Sequence, residues 1–127
     1  MKRLALVFSI GLAVIISLKR DGHPVITTSS SPSSIALAKH LRSKGFVKYS
    51  VHWCPYCDKQ NQLFGKEAAD LLIDVECELN QETKKLCQEK GIIGYPSWEI
   101  NGVIQAGIKS LDELAELSNF KVKKAFK

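Results

Sequence analysis

The chain has 127 residues, 45% hydrophobic and 24% charged, with five Phe, two Trp and three Tyr. That is enough apolar bulk for one compact domain with appendages, and it excludes wholesale disorder, a polytopic membrane protein, a collagen-like fibre and a long coiled coil. The formal charge of +5 sits at the ends, in Lys2, Arg3, Lys19 and Arg20 and in Lys121, Lys123, Lys124 and Lys127. Residues 22–120 carry ten basic against twelve acidic groups, so nucleic-acid binding is not expected of the folded body.

Met1-Lys2-Arg3 precedes an apolar run from Leu4 to Leu18, and residues 1–20 read as a signal peptide or signal anchor. The run is short for a spanning helix, although Lys19 and Arg20 can extend it by snorkelling. No small-x-small cleavage site follows Leu18, which favours the anchor. Either way the domain is expected on the exported, periplasmic or lumenal side, where disulfides persist. Residues 21–33 are rich in Ser, Thr and Pro and read as a flexible linker. The lysines of 121–127 read as a basic tail.

The domain is expected over 34–120. Ile35, Leu37, Ala38 and Leu41 recur at helical spacing, with Ser33 or Ser34 as N-cap and Gly45 as the stop. Phe46–Val51 is rich in β-branched and aromatic residues and reads as a strand. Cys54–Ala69 reads as one helix, Leu71–Val75 as a second strand, and Gln81–Lys90 as a third helix ended by Gly91. Ser97–Ile100 and Val103–Gln105 flank Asn101-Gly102, a strong hairpin signal. Ser110-Leu111-Asp112-Glu113 is a capping box opening the last helix. The order α-β-α-β-α-β-β-α implies an α/β fold with a central mixed sheet flanked by helices.

The chemistry concentrates in His52-Trp53-Cys54-Pro55-Tyr56-Cys57, where a strand ends and a helix begins. A thiol at a helix N-terminus faces unpaired N–H groups and the positive end of the helix dipole, both of which favour thiolate. Two intervening residues put both sulfurs on one turn. Cys54 is accordingly assigned as nucleophile and Cys57 as the resolving thiol. Pro55 suits a first helical turn. Gly94-Tyr95-Pro96 precedes the third strand, and a cis Pro96 beside the reactive pair is expected to offer backbone to an extended substrate. Trp53 and Tyr56 are expected to contact substrate, and Trp98 to pack in the core. His52 is left between tuning the Cys54 thiolate and simple half-burial. His23, His40, Glu76 and Glu78 are expected to be solvated. So is Asp74, with a buried acid assisting Cys57 as its minor alternative.

These blocks, with Leu63-Phe64-Gly65-Lys66-Glu67-Ala68, Val75-Glu76-Cys77, Leu86-Cys87-Gln88-Glu89, Gly91 to Gly102 and Ser110 to Leu114, resemble the thioredoxin superfamily over roughly residues 35–120. More narrowly, they resemble the thioredoxin-like domain attached to bacterial and plant vitamin K epoxide reductase homologues. The resemblance implies a thioredoxin-like fold and disulfide exchange between a membrane disulfide oxidase or reductase and protein thiol or disulfide substrates. The chain departs from the family in having Tyr56 where His often stands, and in lacking the quinone-reducing membrane bundle. No cofactor or resident metal is called for. Cys77 and Cys87 form a second pair, read as a structural or auxiliary disulfide; a relay to Cys54 and Cys57, or free thiols, stay open. Zinc held by all four cysteines is disfavoured, since the second pair lacks a short knuckle spacing. Two rival functions remain: a glutaredoxin-like, glutathione-dependent reductase, against which the missing Gly-Gly near Gly107-Ile108 argues, and a non-enzymatic metal- or partner-binding module.

Overall fold

A computed structural model describes residues 25–121. The expected signal or anchor, the start of the linker, His23 and nearly all of the basic tail lie outside the described residues. The elements are α1 (Pro32–Ser43), β1 (Val47–Ser50), α2 (Pro55–Phe64), α3 (Lys66–Ala69), β2 (Ile73–Glu76), α4 (Gln81–Glu89), β3 (Ser97–Ile100), β4 (Val103–Ala106) and α5 (Leu111–Leu117). No helix among the described residues is long and apolar enough to cross a membrane.

The sheet order is β2-β1-β3-β4. β1 runs parallel to β2, with Val47 opposite Ile73 and Ser50 opposite Glu76. β1 is antiparallel to β3, and β3 to β4. A parallel pair needs a long crossover, which α2 and α3 supply; the antiparallel pair needs only a tight turn. Asn101 and Gly102 make that turn with φ of 52° and 81°, the left-handed pair a type I′ hairpin demands.

Strand periodicity sorts the interior into two cores. One contains Leu37, Leu41, Phe46, Phe64, Leu72, Trp98, Ile100 and Leu114. The other contains Tyr49, Val51 and all four cysteines, with Val47, Val75, Ile92, Tyr95 and Ile104 packed on it. The reactive pair and the second pair therefore belong to one buried cluster. Tyr49 is buried there because its hydroxyl donates to Glu99 at 2.6 Å. That bond and Lys90 hold the Glu99 carboxyl below the usual carboxylate range, while burial pushes the Tyr49 phenol up.

Three expectations need correction. α1 starts earlier than expected: Ser31 is the N-cap, accepting from Ser34 N, and Pro32 occupies the first turn, where its missing N–H costs nothing. The Cys54–Ala69 helix is broken in two at Gly65, whose φ of 87° and ψ of 164° lie in a region essentially confined to glycine. Finally, the C-terminal half of the Ser/Thr stretch is pinned to the body. Thr28 Oγ1 donates to Gln62 O at 2.8 Å, Lys66 N donates to Thr28 O at 2.9 Å, and Ser30 N donates to Glu67 Oε1 at 2.9 Å. Ser30 Oγ accepts from Ala68 N at 2.8 Å. The break at Gly65 makes this docking feasible, because a Cβ there would lie 2.6 Å from Ser30 N. Gly65→Ala is therefore expected to cost about 2 kcal/mol from backbone strain, read as a lower urea midpoint at unchanged m-value.

Candidate active site

β1 delivers the chain through Val51, His52 and Trp53 to Cys54, the N-cap of α2. Its sulfur occupies the place of a capping oxygen and accepts from Cys57 N at 3.1 Å, one of the donors a helix start leaves unpaired. Pro55 is the first helical residue. On the other side, Cys54 Sγ lies 3.5 Å from the carbonyl oxygen of Tyr95. The Tyr95–Pro96 bond is cis, as expected. Both active-site cysteines are free thiols, with 6% of Cys54 and 3% of Cys57 open to solvent. Cys54 is the more open of the two by a small margin, and its access runs along a cavity of about 540 Å³ that it lines together with Cys57 and His52.

Trp53 and Tyr56 project from this rim, both more than half exposed. The Trp53 and Tyr95 rings meet edge-on at 6.3 Å, and Trp53 Nε1 donates to Glu78 Oε1 at 2.9 Å. Lys59 Nζ sits 5.5 Å from the centre of the Tyr56 ring. Burial, with the nearby Glu78 and Glu76 carboxylates, raises the Tyr95 phenol. Trp98 is fully buried and donates to Gln60 Oε1; it is a core residue, as expected.

The acids near the strand end are hydrogen-bonded: Asp74 and Glu78 remain solvent-exposed as expected, whereas Glu76 is largely buried. Glu76 accepts from His52 N at 2.6 Å and lies 2.9 Å from His52 Nδ1, so His52 is tied to Glu76 and not to the Cys54 sulfur. His40 is also partnered, with Nε2 2.8 Å from Ser118 O and its ring 5.0 Å from that of Phe120. Asp74 takes Lys48 Nζ at 2.6 Å and Ser50 Oγ at 2.7 Å. Lys48 is fully buried and donates also to Asn61 Oδ1 at 2.9 Å.

This Lys48–Asp74–Ser50–Asn61 network is the part of the site that sequence reading missed. A signal was present: in Phe46-Val47-Lys48-Tyr49-Ser50, period two puts Lys48 and Ser50 on the same face as buried Phe46. A buried ammonium is tolerated only with a partner, and Asp74 is the residue in register with Lys48 on β2.

The network bears on Cys57. Burial pushes that thiol up to about 12, and the neighbouring Cys54 sulfur pushes the same way; a hydrogen bond from the backbone of Val51 and the Lys48 charge oppose them. Cys57 is thus protonated at rest and costly to ionise, and it shares its cavity with Ser50, Asn61 and Asp74. Far below its pKa, the Cys57 thiolate fraction grows tenfold per pH unit. Release of a mixed disulfide on Cys54 should therefore accelerate about tenfold per unit from pH 6 to 8, as stopped-flow following of a fluorescent leaving thiol would show. A thiol raised in the folded state stabilises the protein below the unfolded value of 9.0, and that contribution is lost as pH climbs from there toward 12.

Cys77 and Cys87 are joined as a disulfide with Cα atoms 5.8 Å apart, and both residues are buried. The bond ties the end of β2 to α4 and so fixes the loop carrying Glu78. Closing a loop of this length contributes about 3 kcal/mol on the chain-entropy estimate. With these two sulfurs bonded to each other, a four-thiolate zinc site is not formed. The site therefore holds two free thiols on the first turn of α2, with the Tyr95 carbonyl beside Cys54. That arrangement can exchange disulfides by two successive displacements.

A family model described as a thioredoxin domain matches residues 47–119. The chain is 42% identical over 105 residues to the thiol-disulfide oxidoreductase LTO1 of Arabidopsis thaliana, an alignment covering 79% of this chain and 28% of that protein. It thus spans little more than a quarter of the relative's length. The four-stranded mixed sheet, the Cys54-Pro55-Tyr56-Cys57 helix start and the cis Pro96 agree with that match: the chain belongs to the thioredoxin-domain family.

Proposed function

We propose that the protein is a thiol–disulfide oxidoreductase that acts on protein thiols and disulfides through Cys54 and Cys57. Cys54 attacks a substrate disulfide, forming a mixed disulfide and expelling one substrate thiolate. Cys57 then attacks the Cys54 sulfur, releasing the second substrate thiolate and leaving Cys54–Cys57 oxidised; the reverse sequence oxidises a substrate dithiol. The observation that carries this reading is the position of Cys54 Sγ, held between the Cys57 N–H and the Tyr95 carbonyl at the edge of a solvent-connected cavity.

We infer further that the domain works on the exported side of a membrane, tethered by residues 1–20, with a vitamin K epoxide reductase-like membrane protein as its exchange partner. The apolar Leu4–Leu18 run and the likeness to a segment of the plant oxidoreductase support this. Trapping tests it: the Cys57→Ser chain should accumulate mixed disulfides in cells. Capture of a membrane oxidase or reductase supports the reading, and capture of glutathione alone would replace it with the glutaredoxin-like one.

A further inference from the structure

Glu76 ends β2 outside the lining of the cavity, yet every bond of its carboxylate bears on the turn that delivers Cys54. The side chain is 12% exposed. Its Oε2 accepts from His52 N at 2.6 Å and lies 2.9 Å from His52 Nδ1, while Oε1 accepts from Glu78 N. Glu78 in turn accepts from the Trp53 indole at 2.9 Å. His52 and Trp53, the two residues ahead of Cys54, are thus both gripped from residues 76–78. That segment is itself fixed: Cys77 N donates to Ser50 O at 2.8 Å, and the Cys77 sulfur is bonded to Cys87. The turn's own closure is weaker. Cys54 N reaches Val51 O at 3.3 Å, beyond the usual N–H···O range, whereas bonds to an ionised acceptor are the stronger kind.

We propose that Glu76 is a positioning residue for the nucleophile. By taking the His52 and Glu78 N–H groups on separate oxygens, it sets where Cys54 Sγ stands between the Cys57 N–H and the Tyr95 carbonyl. It thereby sets the rate of attack on a substrate disulfide. This rests on the thiol–disulfide reading above and adds the residue that holds the attacking atom. In that step the Cys54 thiolate bonds to one substrate sulfur as the substrate S–S bond breaks, and the second substrate sulfur leaves as thiolate. The approach is geometrically demanding, and a misplacement of about 1 Å can cost on the order of a hundredfold.

The experiment mixes the full chain, reduced, with excess of a peptide disulfide whose leaving thiol fluoresces, so that the first burst reads attack by Cys54. Glu76→Ala should lower the limiting burst rate about tenfold or more. The peptide concentration giving half that rate should stay within about twofold, because Glu76 lines no part of the cavity. Glu76→Gln keeps one acceptor oxygen and should recover most of the loss, to about threefold below wild type. Trp98 is fully buried, so acrylamide quenching reads Trp53, and it should rise in Glu76→Ala. Glu99→Gln is the stability control. It weakens a carboxylate at the far end of β1, opposite Val47, and its burst rate should stay within about twofold of wild type. Equal burst rates in wild type and Glu76→Ala, or an equal loss in Glu99→Gln, overturn the proposal. If Glu76→Ala does not fold, Glu76→Gln carries the test, and a wild-type rate in it overturns the proposal. Absence of a burst in wild type would instead overturn the oxidoreductase reading.

Discussion

Cys54→Ser should lower turnover of a protein disulfide such as insulin by about a thousandfold or more, because it removes the group that forms the covalent intermediate. Cys57→Ser should behave differently. Cys54 still attacks, so the first burst of leaving thiol persists at near its normal rate, but the mixed disulfide then accumulates. The asymmetry follows from position. Cys54 caps the helix with its sulfur held between the Cys57 N–H and the Tyr95 carbonyl, whereas Cys57 is more deeply buried and its thiol raised to about 12. Gel-shift trapping with a maleimide and burst kinetics read the two steps separately. Full activity in Cys54→Ser would sink the assignment of the nucleophile.

Asp74→Ala should destabilise the protein by about 4 kcal/mol, because it leaves a fully buried ammonium without its counter-charge. Lys48→Met should cost much less, roughly 1 kcal/mol. Its partner carboxylate is about one-third exposed and keeps the Ser50 hydroxyl, so it is not stranded. The two changes rank oppositely in catalysis. Lys48 is the charge that eases ionisation of Cys57, so Lys48→Met should move the pH profile of mixed-disulfide release to higher pH while leaving attack by Cys54 unaffected. Urea titrations of the two variants, beside burst kinetics from pH 6 to 9, check both halves. A Lys48→Met profile superimposable on wild type would reduce Lys48 to a packing role.

Much of this was legible in the residues because local signals agreed with the fold. Asn101-Gly102 specified its turn, Ser110 its cap, and the four residues from Cys54 to Cys57 the join of strand and helix where the chemistry sits. The position of Pro96 before β3 pointed to the loop that now lies against Cys54. The failures came where a long-range contact overrode a local pattern. Helical periodicity runs smoothly through Gly65, and only the Thr27–Ser31 strap crossing there shows why the helix stops. Lys48 and Asp74 look like two solvated charges until strand register sets them opposite each other. His52 and Glu76 illustrate the same point, since nothing in the sequence pairs a loop imidazole with a strand carboxylate 24 positions away.

The Cys77–Cys87 bond has a consequence for electron accounting. It lies buried in the same cluster as Cys54 and Cys57, with its two sulfurs already bonded to each other. With one pair bonded and one pair free, an Ellman titration of the native protein should count two thiols, rising to four only after unfolding in reductant.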